Sequence, residues 1–227
     1  PPRSTLFPYT TLFRSVGFQR FFKALKDIRK FRDLFLFLLA FFVYANGIGT
    51  IITMAVAFGS DLGFSSTILI GTLLLVQFVA APFAILFGKL PEKLGTKRTI
   101  YLSLVIYTLV AIVGYFMSKE WHFLLLGFGV ATVQGGSQAL SRSLIGKLMP
   151  KNKSAEFYGF FSVSEKFNTV IGPAVFSLIN QLTGNSHLAI ISLIVFFLAG
   201  IAILTKVDVE RGAQVAKQED AKMMLAE

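Results

Sequence analysis

The 227 residues carry 22 Lys+Arg against 12 Asp+Glu, a net charge of +10, yet 54% are hydrophobic and only 15% are charged. Mean hydropathy is +0.68, which excludes an ordinary soluble domain. The absence of Cys excludes a disulfide framework and a thiolate metal site.

The chain opens on a segment unlike the rest. Thr5 to Ser15 looks like a common sequencing-adapter oligonucleotide translated in frame, so residues 1–15 are set apart as an artefact. The natural chain is expected to pass through Val16 and to continue upstream. The segment has no apolar h-region, so it is not a signal peptide. Residues 16–33 then repeat Phe18, Phe21, Phe22, Leu25 and Ile28 at helical spacing, with Arg20, Lys23, Lys26, Lys30 and Arg32 between them. That pattern predicts an amphipathic linker helix on the cytoplasmic leaflet.

Six apolar stretches follow, at 34–57, 66–87, 99–117, 122–146, 157–181 and 187–205. Each is near the roughly 20 residues of helix that a bilayer core requires. Basic residues gather on one side of them. Six lie between Val16 and the first stretch, four between the second and third, four at or after the end of the fourth, and four from Lys206 onward. The opposite loops hold only Lys119. Lys and Arg collect in cytoplasmic loops, so both termini are expected in the cytoplasm. The charge is divided among short loops, so it reflects topology and carries no expectation of nucleic acid as a partner. The tail could be a cytoplasmic helix or disorder.

The first span contains Tyr44-Ala45-Asn46-Gly47-Ile48-Gly49-Thr50. This reads either as a local break lining a solute path or as a close helix crossing with Asn46 as interhelical glue. Pro82 in the second span and Pro173 in the fifth each remove a helix hydrogen bond, so both are candidate kinks. The third and sixth spans are nearly uniform in apolar residues and suit lipid contact. In the fourth span, Gln134, Gln138 and Ser141 share one face, and Gly127, Ala131, Gly135 and Ala139 form a small-residue stripe beside it. The stripe permits close approach of a neighbouring helix, and the Gln face is a candidate cavity lining. Arg142 reads as a residue near the cytoplasmic end that snorkels or contacts a loop.

The fifth span carries the sharpest chemistry. Glu165, Lys166 and Asn168 stand inside it, and Lys166 lies about 15 Å past Glu156 at 1.5 Å per residue. Charges at that depth require partners, and they mark solute binding or ion coupling. Adjacent residues point about 100° apart on a helix, so Glu165 and Lys166 do not neutralise one another. The alternative is a structural ion pair with another helix, or a later start of the span that leaves both at the interface. The two His residues, His122 and His187, sit at span ends with no partner His nearby, and no nucleophile–base or metal constellation appears, so no enzyme activity and no cofactor are expected.

Between the second and third spans comes Gly88-Lys89-Leu90-Pro91-Glu92-Lys93-Leu94-Gly95-Thr96-Lys97-Arg98. It resembles the cytoplasmic signature loop of the major facilitator superfamily in its second-half copy, Gly-x-Leu-x-Asp-Arg-x-Gly-Arg-Lys. Gly88, Leu90, Gly95 and Lys97 match, Glu92 and Lys93 are conservative replacements, and Thr96 departs. The resemblance implies a gating loop at Gly88, Glu92, Lys93, Gly95, Lys97 and Arg98. Further stretches are similar to the second half of the "unknown major facilitator" family, a branch that includes fungal vacuolar amino-acid effluxers linked to autophagy. These are Tyr44-x-Asn46-Gly47, Gln134 through Leu144, Met149-Pro150-Lys151, Ala155 through Phe160, Lys166-Phe167 and Gly172-Pro173. In that branch an acidic residue is expected where Asn46 stands, so a proton-coupling role does not carry over to that position.

Together these readings predict an all-α membrane protein. Its six transmembrane helices would form the C-terminal half-bundle of a major facilitator fold, in a multi-pass protein of the plasma membrane. Its expected partners are the lipid bilayer, a missing N-terminal six-helix half and a small-molecule substrate moved by alternating access. Asn46, Gln134, Gln138, Glu165, Lys166 and Asn168 are the candidate path residues. A complete six-helix homo-oligomeric channel or membrane scaffold is the alternative.

Overall fold

A computed structural model describes residues 27–225 of the chain. The adapter-like segment 1–15 and most of the expected amphipathic helix 16–33 lie outside the described residues.

Helix α1 (Arg32–Asp61) follows a turn in which the Lys30 and Phe31 amides donate to the Asp27 and Ile28 carbonyls. It ends where Gly63 takes a positive φ of 78°, letting the Phe64 amide return to the Gly59 carbonyl. At the start of helix α2 (Ser66–Leu94) the Ser65 amide donates to the Glu120 carboxylate at 2.8 Å. Helix α3 (Thr96–Tyr115) is joined to α2 by Gly95 alone, at φ 83° and ψ 148°. The expected 88–98 loop is therefore not a loop. Gly88, Glu92 and Lys93 belong to the last two turns of α2, since Pro91 falls where the helix continues and a glycine is free to reverse the chain only at 95.

Helix α4 (Glu120–Leu148) leads through Pro150 and a single 3-10 turn at Lys151–Lys153 into α5 (Ser154–Thr183). Gly184, in the left-handed region at φ 61°, closes α5. Helix α6 (Ser186–Thr205) is capped by Asn185, whose side chain accepts the His187 amide at 2.9 Å. The tail forms helix α7 (Val209–Met224), with Asp208 as its N-cap accepting the Arg211 amide at 3.0 Å.

Among the described residues, α1, α2, α3, α4 and α6 are long and apolar enough to cross a membrane. Helix α5 has comparable length, 30 residues, but with Glu, Lys, Ser and Asn in its sequence it is not among these five. Over the described residues the molecule is thus an all-helical integral membrane protein with five candidate spanning helices and one further long helix.

Helix α1 lies at the centre, packed on α5 and α6 and touching α4 and α7. Its apolar window is 56% buried, against 11% for α2, which is the peripheral helix and presents Ile70, Leu74, Phe78 and Ile85 outward. Glycine–aromatic pairs set the α1–α6 crossing. A Cβ on Gly47 would stand 2.7 Å from the Phe197 ring, and one on Gly200 would stand 2.7 Å from the Tyr44 Cβ. Phe197 stacks in turn on Tyr107 of α3, with centroids 5.7 Å apart and planes 18° apart. The small stripe of α4 meets α2, where Gly127 touches Thr72 and a Cβ on Gly135 would lie 2.9 Å from that of Ala84. Close backbone approach through small residues replaces the hydrophobic drive that is absent between helices in lipid.

The tail helix is docked. Asp33, 4% exposed, accepts three hydrogen bonds, from the Asp208 amide at 2.9 Å and from Arg211 Nε and Nη2 at 2.8 and 2.6 Å. Those bonds hold the Arg211 guanidinium above its ordinary pKa, so it stays charged. Gly212 packs under Leu148 and Asp33, and Asp220 accepts the Lys151 and Asn152 amides at 3.0 and 3.3 Å. Helix α7 thereby ties the first turn of α1 to the α4–α5 connection.

Candidate functional site

A cavity of about 260 Å³ opens between α1, α4 and α5. Helix α1 contributes Tyr44 and Gly49, α4 contributes Gln138 and Arg142, and α5 contributes Glu165, Lys166, Asn168 and Thr169. The Arg142 guanidinium reaches Glu165 Oε1 at 2.9 Å, with the two side chains 59% and 31% exposed. Lys166 is exposed and borders the cavity, and its ammonium makes no ion pair or hydrogen bond among the described residues. The cavity therefore offers one exposed cross-helix ion pair and a second, uncommitted cation.

Behind the charges lies a buried polar seam. Asn46 Nδ2 donates to Asn168 Oδ1 at 2.8 Å and to the Phe42 carbonyl at 2.7 Å, and the two asparagines are 1% and 5% exposed. Asn46 Oδ1 is buried and has no hydrogen-bond partner among the described residues. Tyr44 Oη lies 2.6 Å from Ser141 Oγ, and Ser141 Oγ lies 2.7 Å from the Ser137 carbonyl. The serine has one proton, which goes to that carbonyl, so the tyrosine is the donor to the serine. This relay joins α1 to α4 as the asparagine pair joins α1 to α5.

Helix α1 runs unbroken through Tyr44–Thr50. The local break is thus absent, and the close-crossing reading describes the geometry. Gly172 of α5 rests directly on Thr50 and on the Asn46 carbonyl, and a Cβ on Gly49 would stand 3.4 Å from the Asn168 carbonyl. Here two glycines exist so that α1 and α5 can cross at the asparagines.

Four of the six candidate path residues come together: Gln138, Glu165, Lys166 and Asn168 line this cavity, and Asn46 supports Asn168 from behind. Gln134 does not join them. It borders a separate, mainly apolar cavity of about 270 Å³ among Thr50, Phe58, Thr72, Gln77, Phe123 and Phe176, where its buried Oε1 has no hydrogen-bond partner among the described residues. One turn of α4 carries the side chain past the α1–α5 crossing and into the neighbouring space. The helix assignment also continues through Pro82 and Pro173. Pro173 supplies no N–H to the Thr169 carbonyl one turn earlier, which frees that oxygen beside the cavity.

Arg142 is the residue that sequence reasoning misplaced. Its partner is Glu165, not lipid or a loop. The signal was present in the hairpin. Arg142 stands six residues before the end of α4, about 9 Å, and Glu165 eleven residues into α5, about 16 Å, a gap of about 7 Å that a long arginine can cover. Of the gating residues, Gly88, Glu92 and Lys93 lie in the last turns of α2, Gly95 is the turn itself, and Lys97 and Arg98 lie in the first turn of α3. Lys97 donates to the Val207 and Thr205 carbonyls at 2.6 and 3.2 Å, securing the C-terminal end of α6. Arg98 is exposed beside it.

This helical bundle, with its charged cavity between three helices, is similar in sequence to known membrane proteins. The model of the family described as "Vacuole effluxer Atg22 like" matches residues 7–217. The MFS-type transporter YxiO of Bacillus subtilis is 46% identical over 204 residues, covering 90% of this chain and 48% of that protein. Autophagy-related protein 22-1 of Aspergillus niger is 29% identical over 204 residues, 83% of this chain and 33% of that protein. Autophagy-related protein 22 of Saccharomyces cerevisiae is 26% identical over 221 residues, 90% of this chain and 41% of that protein. The chain belongs to the Atg22-like vacuole effluxer family of major-facilitator-type membrane proteins. It spans about half or less of the length of these curated relatives.

Proposed function

We propose that this chain is the C-terminal six-helix half of a secondary transporter that moves a small solute by alternating access, with α5 as the sixth span. Helices α1, α4 and α5 form one wall of the solute path, and a six-helix N-terminal half supplies the other. The observation that carries this reading is the convergence of Gln138, Glu165, Lys166 and Asn168 on one cavity, since charge and amide groups inside a membrane bundle are costly unless they serve a path. A wall that presents an exposed carboxylate–guanidinium pair and a spare ammonium suits a small zwitterionic, amino-acid-like solute. The basic ends of α2, α4 and α7 face the cytoplasm in this reading, as do both termini.

The test is Lys166→Ala in the full-length transporter, with Glu165→Gln beside it. Loss of solute uptake or efflux at normal expression is expected for both. Unchanged transport by Lys166→Ala would remove that side chain from solute binding and coupling.

A further inference from the structure

At the end of the bundle opposite the apolar cavity, the Gly95 turn meets the α6–α7 connection around a second large recess of about 810 Å³. Six cationic side chains line it, Arg32, Lys97, Arg98, Lys147, Lys206 and Arg211, against the two carboxylates of Asp208 and Glu210. Two of the six are committed to the fold. Arg211 is held by Asp33, and Lys97 by the Val207 and Thr205 carbonyls. The other four are not neutralised by an ion pair among the described residues. The side chains of Arg98 and Lys206 make no ion pair or hydrogen bond there, Arg32 acts on Asp33 only at a distance, and Lys147 donates only to the neutral Thr96 hydroxyl at 3.3 Å. Asp33, beside Arg32 in sequence, already accepts three hydrogen bonds.

We infer that this recess binds a phosphate group, and that its ordinary source is the headgroup of an anionic phospholipid. Unneutralised cations gathered in one concavity repel one another, and a dianion-like oxygen cluster relieves that repulsion. Arginine forks match phosphate oxygens in pairs, and lysine adds point charge. The location favours a lipid over a free phosphate. The recess lies where α2, α3, α4 and α6 all begin or end, at the level where a spanning bundle meets headgroups. Leu94 forms part of its wall and is 44% exposed, which offers an apolar exit for an acyl chain. The inference does not depend on the transport reading, because it concerns the far end of α2 and no residue of the solute cavity.

The test uses the full 227-residue chain, purified in non-ionic detergent, with native mass spectrometry of bound lipid. The probes are palmitoyl-oleoyl phosphatidylglycerol, the matched phosphatidylcholine, and inorganic phosphate as competitor. Wild type should retain phosphatidylglycerol at least about fivefold better than phosphatidylcholine. Arg98→Gln with Lys206→Gln should abolish that preference. Lys217→Gln with Lys222→Gln, equal in charge but outside the recess, should keep it. Arg98→Lys with Lys206→Arg should also keep it, which separates charge from any folding defect. Displacement by millimolar phosphate would show that the bare group suffices and that soluble phosphate esters compete. Persistence would assign the site to the lipid. No headgroup preference in wild type, or equal losses in the two glutamine pairs, would overturn the inference in favour of diffuse attraction.

Discussion

Gly172 is the position where a single methyl group should report whether α1 and α5 cross as described. A Cβ there would run into Thr50 Oγ1 and the Asn46 carbonyl oxygen and stand 3.1 Å from the carbonyl carbon. Ordinary carbon–oxygen contacts are about 3.3–3.6 Å, so Gly172→Ala requires the helices to part by about 1 Å. The Asn46–Asn168 bond of 2.8 Å lies in the same crossing and would stretch past hydrogen-bond range. Overpacking costs about 1–3 kcal/mol and the lost interhelical bond about 0.6 kcal/mol, partly offset by about 0.5–1 kcal/mol of helix propensity gained on replacing glycine. The net loss is about 1–3 kcal/mol, or a fall in Tm of about 3–9 °C for a chain of this size. Thermal unfolding in detergent measures it. Gly159→Ala, in the same helix with nothing within 4 Å, gains the same propensity and should hold or raise Tm. Equal responses of the two variants would refute the close crossing.

Other expectations follow from the same coordinates. Asn46→Ala removes the donor to a buried Asn168 and should cost about 0.5–2 kcal/mol, read as a fall in Tm, whereas an unchanged Tm would mean that the seam contributes nothing. A double-mutant cycle on Arg142→Gln and Glu165→Gln should return a coupling below about 1 kcal/mol, because both side chains are partly exposed. A coupling of several kcal/mol would place the pair in a dry core instead. Arg211→Ala strips two of the three hydrogen bonds from Asp33, so limited trypsin should cut α7 at Lys217 and Lys222 several-fold faster while the spanning helices survive. Resistance equal to wild type would show that α7 docks without that pair.

Hydropathy alone set out the spanning helices, because lipid forces every backbone polar group into the helix and so converts length and composition directly into structure. The Asn46-to-Thr50 glycines, the α4 small stripe and the Glu165–Lys166 pair were legible for the same reason, being anomalies against an apolar background. What the sequence left open was partnership. It could not choose between a break and a close crossing at Asn46, because the answer lies in Gly172, 126 positions away, whose missing Cβ admits the second helix. It placed Gln134 and Gln138 on one face, but the α1–α5 crossing divides that face between two cavities. It put Arg142 at the membrane edge, since the count along the hairpin that brings Glu165 within reach needs the ends of α4 and α5, which the structure supplies. It left the tail undecided, because the stability of α7 comes from Asp33 at the far end of the chain. Helix formation in a bilayer is a local property of composition, whereas ion pairs, glycine contacts and docked ends depend on which helices become neighbours, and only the tertiary structure decides that.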